Sequence, residues 1–274
     1  MENSKISGNS AVEGTVVCFE DTLFTISRTN ITGNSATNGG GIVVSRSCTL
    51  ELVGGEVSGN VATGDGGGIH VLEESTVKIA GTNISHNKAS VGGGIVISDA
   101  SKLTLEDAVA FKSNSADSCG AAIGFSSSVP VSVTGSVTFE AGLVKDESQT
   151  AAGGGGAVCV HGQRSFDSLG LTSCSLFDGD IFPFSGSGTM EMRGNKALRG
   201  GGDIFFNCLD PPSVDITNFT QYIRSKIVCG RDSQAGYGNL VAFPPSRLVL
   251  QAITSRVIAG GEFHARYTSP KKSE

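Results

Sequence analysis

The sequence is poor in large side chains. It contains no tryptophan, aromatic residues make up only 6% of its 274 residues, and there are seven prolines. These scarcities exclude a core made of a few large rings, so we expect a core of many aliphatic contacts. Glycine is abundant instead, and its 39 residues are about twice the usual share. A chain of this composition is expected to consist of many tight turns.

The charge pattern excludes two further classes of protein. The formal net charge is −6, and the single basic pair, Lys271-Lys272, stands in a polar tail. Nucleic-acid binding needs a concentrated basic face, so a nucleic-acid partner is excluded. No stretch approaches the roughly 18 continuous apolar residues of a membrane span, so none is predicted in this chain.

Seven cysteines are spread along the chain without a CxxC pair. They stand at positions 18, 48, 119, 159, 174, 208 and 229. The odd count leaves at least one thiol unpaired, and several disulfide pairings stay open. The spacing argues against zinc. Small buried hydrophobic residues are the simplest interpretation of most of these cysteines.

A repeat of about 27 residues dominates the sequence. Its first motif is an apolar residue, two polar or small residues and an asparagine, as in Ile31-Thr-Gly-Asn34. The six asparagines are Asn9, Asn34, Asn60, Asn87, Asn114 and Asn195, and the first five are spaced by 25, 26, 27 and 27 residues. Because asparagine tolerates the left-handed backbone conformation and can hydrogen-bond along a stack, we interpret them as a structural ladder at one corner. A polar binding stripe is the functional alternative.

Each copy of this motif is followed by a glycine cluster that ends in an apolar residue. These apolar residues are Ile42, Ile69, Ile95, Ile123, Val158 and Ile204, with Val16 in the same phase. The glycines expected to form the turns are Gly40, Gly41, Gly67, Gly68, Gly93, Gly94, Gly155, Gly156, Gly201 and Gly202. Stacked turns bring backbones close together and often need a positive φ, and glycine meets both demands.

A third element of the repeat shows alternating apolar residues, as in Leu50-Glu-Leu52 and Val77-Lys-Ile79. Alternation is typical of strands, and nothing in the repeat has helical periodicity. Three short strands per repeat, without a helix, predict an all-β fold. The architecture expected is a right-handed parallel β-helix of about seven coils, each of about 27 residues and three strands.

Two insertions are predicted within the β-helix repeats, which should cover residues 1–206. The intervals from Ile123 to Val158 and from Val158 to Ile204 exceed one coil, which places the insertions near 143–152 and 161–188. In solenoids such insertions form loops on one face, often the binding face.

The remaining residues are interpreted from weaker patterns. Residues 207–245 read as a degenerate last coil or cap, and residues 246–274 as the strand-like start of another module followed by a polar tail. Because the chain begins almost directly inside a repeat, we expect it to be part of a longer precursor.

No catalytic or metal-binding constellation is found, so no catalytic residue, metal or cofactor is predicted. The outward positions of the repeat are Glu51, Lys78, Thr104 and Ser132, which form no acidic stack. The densest acidic spot is in the second insertion, where Phe177, Asp178, Asp180 and Phe182 are the candidate binding residues. A turn with solvated carboxylates is the simpler interpretation of this spot.

Three glycosylation sequons are present, and they can be used only in a eukaryotic secretory path. They are Asn30-Ile-Thr32, Asn83-Ile-Ser85 and Asn218-Phe-Thr220.

Two copies of the repeat carry a more specific signature, Phe111-Lys-Ser-Asn114 and Gly155-Gly-Ala157-Val158. They resemble the FxxN and GGA(I/L/V) motifs of the chlamydial polymorphic outer-membrane proteins, which are autotransporter passengers. The resemblance covers residues 6–206, although most copies begin with Ile, Val or Met and most glycine turns are GGGI. Similar repeats also occur in very large secreted proteins of protists and algae. The resemblance implies a pectin-lyase-like β-helix used in adhesion or surface display, with no catalytic residues to carry over.

We therefore expect a non-enzymatic extracellular surface protein, either an adhesin or an autotransporter-passenger-like solenoid. Its expected partner is a host or neighbouring cell-surface protein or glycan. The alternative is a carbohydrate-active β-helix enzyme, such as a polysaccharide lyase or glycoside hydrolase, or a carbohydrate-binding module. Two or more carboxylates that converge on one groove would favour the enzyme.

Overall fold

The structure is a computed structural model that describes residues 1–98, 100–126, 129, 131–145, 154–161, 184–207, 227–229, 234–237 and 241–242. These residues form strands that pair in parallel, and none of them is helical. The chain is therefore a parallel β-helix, as the repeat predicts.

Every coil runs through three sheets in the same order. Sheet 1 contains the eight strands Val16–Cys18, Ile42–Val44, Ile69–Val71, Ile95–Ile97, Ile123–Ser126, Val158–His161, Ile204–Asn207 and Val241–Ala242. Sheet 2 contains the twelve strands Lys5–Ser7, Leu23–Thr32, Thr49–Ser58, Thr76–Ala80, Asn83–Ser85, Lys102–Glu106, Ala108–Lys112, Val131–Val133, Ser136–Glu140, Phe184–Ser185, Thr189–Arg193 and Ile227–Cys229. Sheet 3 contains the seven strands Ser35–Ala36, Val61–Ala62, Lys88–Val91, Ser115–Cys119, Leu143–Val144, Lys196–Gly200 and Gln234–Tyr237.

The regular solenoid has about five turns, where the sequence predicts about seven coils. The two later coils begin at Val158 and Ile204. Parts of them, residues 162–183 and 208–226, lie outside the described residues. Their strands keep the register, because Val158 pairs with both Ile123 and Ile204. Each of the two long intervals in the sequence is therefore one coil.

The parallel pairing continues beyond the point where the sequence pattern dissolves. Ile227 pairs with Met190 in sheet 2, and Val241 pairs with Ile204 in sheet 1. Part of the predicted cap at 207–245 therefore follows the path of the coils. The predicted module at 246–274, and most of the two predicted insertions, lie outside the described residues.

The strands are divided among the sheets differently from the prediction. The element that precedes each ladder asparagine shares sheet 2 with the alternating element, and in the second coil both belong to the ten-residue strand Thr49–Ser58. From the third coil onward this strand is split in two, first as Thr76–Ala80 and Asn83–Ser85.

Sheet 3 has no counterpart in the sequence prediction. Its strands are two to five residues long and follow the ladder asparagines. The buried residues in these strands are mostly alanines, namely Ala36, Ala62, Ala89, Ala116 and Ala197, with Val91, Cys119 and Val144. Alanine next to serine or lysine produces little hydrophobic alternation, so this sheet leaves no strand signal.

The core is a stack of aliphatic side chains that repeats from coil to coil. In sheet 1, Ile42, Ile69 and Ile95 are fully buried, and Leu50 and Leu52 face them from sheet 2. Burial of each such side chain stabilises the fold by about 1.5–3 kcal/mol. Two rings join this stack, since Phe111 and Phe139 lie nearly parallel with centroids 5.1 Å apart.

Among the cysteines that the structure describes, two disulfides connect different coils. Cys18 pairs with Cys48, with Cα atoms 6.0 Å apart, and Cys119 pairs with Cys159, with Cα atoms 5.6 Å apart. All four cysteines are buried, as expected of small hydrophobic residues. The structure gives two of the pairings that the sequence leaves open, because stacking brings together cysteines that are 30 and 40 residues apart in sequence.

The turn glycines perform two separate tasks. In each cluster the glycine three residues before the apolar residue has a positive φ, namely Gly39, Gly66, Gly92, Gly120, Gly155 and Gly201. The glycines after it lie against the next coil, where an added Cβ would clash with backbone carbonyl oxygens: Gly40, Gly41, Gly67, Gly68, Gly93, Gly94 and Gly156. At Gly156 that oxygen belongs to Gly202. Of the predicted turn glycines, only Gly155 and Gly201 adopt the left-handed conformation, and close approach explains most of the others.

Alanine at Gly40 is expected to destabilise the fold more than alanine at Gly33. A Cβ at Gly40 would lie 2.5 Å from the oxygen of Gly67 and 2.6 Å from the oxygen of Val61, so two coils would have to separate. We expect a loss of about 2–3 kcal/mol in the free energy of unfolding. At Gly33 the φ is +63° and a Cβ meets nothing within 4 Å, so the backbone strain alone should cost about 1 kcal/mol. Urea unfolding of both variants measures the difference, and equal losses would contradict the close-approach explanation.

Candidate functional site

The ladder asparagines stack at the corner between sheet 2 and sheet 3. Asn34, Asn60, Asn87 and Asn114 are at most 1% exposed, whereas Asn9 at the end of the ladder is exposed. The Asn87 Oδ1 accepts hydrogen bonds from the backbone N–H of Asn60 at 2.9 Å and from its Nδ2 at 3.1 Å. The same two bonds recur at each step from Asn9 to Asn114.

A third hydrogen bond ties each ladder side chain to sheet 2. The Asn87 Nδ2 donates to the carbonyl oxygen of Val57 at 2.9 Å, and the Asn60 Nδ2 donates to that of Ile31 at the same distance. The buried amides therefore use their donors and acceptors inside the protein. This arrangement supports a structural ladder and leaves the buried amides inaccessible to a ligand.

Gly142 interrupts the ladder between Asn114 and Asn195. Its backbone N–H donates to the Asn195 Oδ1 at 2.9 Å, but it has no side chain to bond in turn. The Asn195 Nδ2 donates to the Asp203 Oδ1 at 2.8 Å, so a buried carboxylate takes part at this level. A Cβ at position 142 would clash with the carbonyl oxygen of Gly156, so the close approach of two backbones excludes an asparagine there.

The left-handed conformation belongs to the residue before each ladder position, not to the asparagine. The residues with positive φ are Gly8, Gly33, Gly59, His86, Ser113, Ala141 and Gly194. The prediction that asparagine is used for its tolerance of this conformation is therefore wrong. The ladder asparagines contribute through their side-chain amides alone.

Glycine at His86 is expected to stabilise the protein. His86 is exposed and has a φ of 56°, a conformation that strains any residue with a Cβ. Relief of this strain should raise the free energy of unfolding by about 0.5–1 kcal/mol. Lys88→Gly, two residues further in an extended strand, is the matched control and should lower it by a similar amount. Chemical denaturation measures both, and a loss of stability in His86→Gly would contradict the strain argument.

The outer surface carries ion pairs between neighbouring coils. Glu51 pairs with Lys78 at 3.7 Å, and these two residues lie in one row with Thr104 and Ser132, the outward positions expected from the repeat. At the corner after sheet 1, Arg46 contacts Glu20 at 3.2 Å and Glu73 at 3.8 Å. Exposed ion pairs of this kind contribute at most about 1 kcal/mol to stability, so they are a minor part of what holds the coils together.

Charged side chains of sheet 2 and apolar side chains of sheet 3 are exposed on two adjacent coils, and we name these residues the C-terminal patch. It consists of Glu140, Leu143, Glu191, Arg193 and Leu198. Leu198 is 65% exposed, and the Arg193 guanidinium contacts the carboxylates of Glu140 at 3.0 Å and Glu191 at 3.3 Å. The Glu140 carboxylate, through a hydrogen bond and its charge, raises the pKa of Arg193.

The patch combines exposed apolar area with charges held by ion pairs. It spans two adjacent coils, and the second of them, with Glu191, Arg193 and Leu198, also contains residues 162–183. Sequence reasoning missed it because Leu143 stands in a two-residue strand and the buried neighbour of Leu198 is only an alanine, Ala197. Neither strand therefore shows a hydrophobic alternation that tells which side chains face outward. The predicted binding residues Phe177, Asp178, Asp180 and Phe182 lie outside the described residues.

In the described part of the chain, no group of three or more His, Cys, Asp or Glu side chains is placed to hold a metal ion. A helix long and apolar enough to cross a membrane is likewise absent from the described ranges.

The chain belongs by its architecture to the class of parallel β-helix proteins. Comparison with protein-family models gives no match, and comparisons with curated proteins and with solved structures give none either. The class therefore rests on the fold alone.

Proposed function

We propose that this β-helix is part of a non-enzymatic extracellular surface protein and acts as an adhesin or autotransporter-passenger-like solenoid. The observation that carries the proposal is the pair of disulfides between coils. Disulfides persist in oxidising compartments and are rare in the cytosol. The resemblance of the repeat to surface-displayed passengers agrees with this location. The partner we propose is a cell-surface protein or glycan.

The C-terminal patch is the contact surface of this proposal. Its exposed Leu198 supplies apolar area, and Arg193 is the residue type that recurs at the centres of interfaces. The flanking carboxylates of Glu140 and Glu191 hold the guanidinium in place. This preorganisation reduces the entropy that binding would otherwise cost.

A bead-attachment assay tests the adhesin role. Beads coated with the chain should attach to cells of a neighbouring or host type, and Arg193→Glu combined with Leu198→Asp should reduce attachment about tenfold. The matched control is Lys78→Glu combined with Val53→Asp, which changes one exposed charge and one exposed apolar residue on distant coils. Attachment that both folded variants retain in full would contradict the patch, and absence of attachment to any cell type would contradict the adhesin role.

A polysaccharide panel tests the non-enzymatic part of the proposal. We expect no release of reducing or unsaturated sugar ends from any polymer. Release that disappears in Asp178→Ala or Asp180→Ala would overturn the proposal in favour of a carbohydrate-active enzyme.

A further inference from the structure

Two glycosylation sequons occupy equivalent positions in sheet 2. Asn30-Ile-Thr32 and Asn83-Ile-Ser85 lie on either side of the same strand, and both Asn30 and Asn83 pair with Glu56. The two asparagines therefore stand in one row, two coils apart, on the outer side of buried Ile31 and Ile84. Because the backbone is extended in both, any difference between them comes from the surrounding side chains.

The side chain of Asn30 is open to solvent. The residue is exposed, and its backbone N–H donates to the Ser4 carbonyl oxygen at 2.9 Å. Its side-chain amide makes no hydrogen bond to any residue that the structure describes. Thr32, which completes the sequon, is half-buried in the adjacent outward row. A substituent on the Asn30 Nδ2 would extend into water without breaking a contact.

The side chain of Asn83 is held by its neighbours. Its Nδ2 donates to the Ser85 Oγ at 3.4 Å, and its Oδ1 is buried. Ser85 is only 2% exposed, and its hydroxyl donates to the Glu56 Oε1 at 3.2 Å. A glycan on the Asn83 Nδ2 would disrupt this chain of contacts and would have to leave a half-buried position.

We infer that Asn30 is an acceptor for an N-linked glycan in a secretory compartment and that Asn83 is not. In the reaction, the Asn30 Nδ2 attacks the anomeric carbon of an oligosaccharide carried on a lipid diphosphate. A carbon–nitrogen bond forms as the carbon–oxygen bond to the diphosphate breaks. The lipid diphosphate leaves, and a base of the transferase takes one amide proton.

A glycan at this position would leave the C-terminal patch free. Asn30 and Glu191 lie in the same row of sheet 2, separated by five strand spacings, or on the order of 24 Å. A glycan on Asn30 would cover the outer face of sheet 2 at the first coils. Attachment through the patch and modification of Asn30 are therefore compatible in one molecule.

The test is expression of the full chain behind a cleavable secretion signal in a eukaryotic host. Asn218→Gln removes the third sequon, and Ser85→Thr gives the two remaining sequons the same residues. Enzymatic deglycosylation in ¹⁸O water followed by peptide mass spectrometry then gives the occupancy of each site. We expect glycan on Asn30, none on Asn83, and complete loss of glycan in Asn30→Gln.

Thr32→Val is the second variant, because it removes the sequon without changing Asn30 and should also abolish the glycan. An unoccupied Asn30 in the secreted protein, or an Asn83 occupied as fully as Asn30, would overturn the inference. Since the secretion signal is supplied, either result is independent of whether the natural protein is an adhesin.

Discussion

Replacing Asn87 by alanine is expected to lower the free energy of unfolding by about 3–5 kcal/mol. The truncation removes the acceptor of two hydrogen bonds from Asn60 and the donor to the Val57 carbonyl oxygen. These groups are buried, and each one left without a partner costs about 1–3 kcal/mol. The loss should be far larger than the removal of a small polar side chain suggests.

Asn9→Ala is the matched control for this prediction. Asn9 is exposed, and its side chain donates to Asn34 and to the Ser7 carbonyl oxygen. Water can replace it, so the loss should stay below about 1 kcal/mol. Urea unfolding followed by circular dichroism measures both variants. Similar losses for Asn87→Ala and Asn9→Ala would contradict the view that burial makes the ladder stabilising.

Removal of both disulfides is expected to lower the free energy of unfolding by about 2–4 kcal/mol for each one. The closed loops span 30 and 40 residues, so the cross-links restrict the unfolded chain over long segments. The four alanine substitutions also remove buried sulfur atoms, so stability alone does not isolate the cross-link.

The effect of a reducing agent on the denaturation midpoint does isolate the contribution of the cross-links. A reducing agent should lower the denaturation midpoint of the unmodified chain and leave the midpoint of the fourfold alanine variant unchanged. Alkylation before and after reduction, read by mass, should show four cysteines protected by these two pairs. An unmodified chain that unfolds at the same denaturant concentration with and without reductant would contradict the prediction.

The fold could be predicted from the sequence because each coil repeats the same inward residues. Val16, Ile42 and Ile69 keep their phase along the chain and all lie in sheet 1. Sheet 3 could not be predicted, since inward residues such as Ala62 are too small to show alternation. The disulfides were also beyond the sequence, because pairing depends on which coils lie side by side.

The candidate site was less predictable than the fold. The stacking of Asn60 and Asn87 follows from their spacing, but the left-handed residue before each ladder position does not. Glycine fills that position in four coils, whereas His86, Ser113 and Ala141 fill it in the others. The side chains of Leu143 and Leu198 could not be placed outward without the register of sheet 3. Apolar residues in short strands are the sequence signal that could have located this patch.

For the proposed adhesin, the Cys119–Cys159 disulfide has a mechanical consequence. A β-helix pulled along its stacking direction lengthens as coils peel away one after another. The 40 residues of separation between these cysteines are bypassed by the covalent link, so they stay slack while the sulfur atoms bear the load. That removes on the order of 130–140 Å from the length the chain could otherwise yield. In the proposed adhesin, the cross-linked segment would therefore add no length under tension.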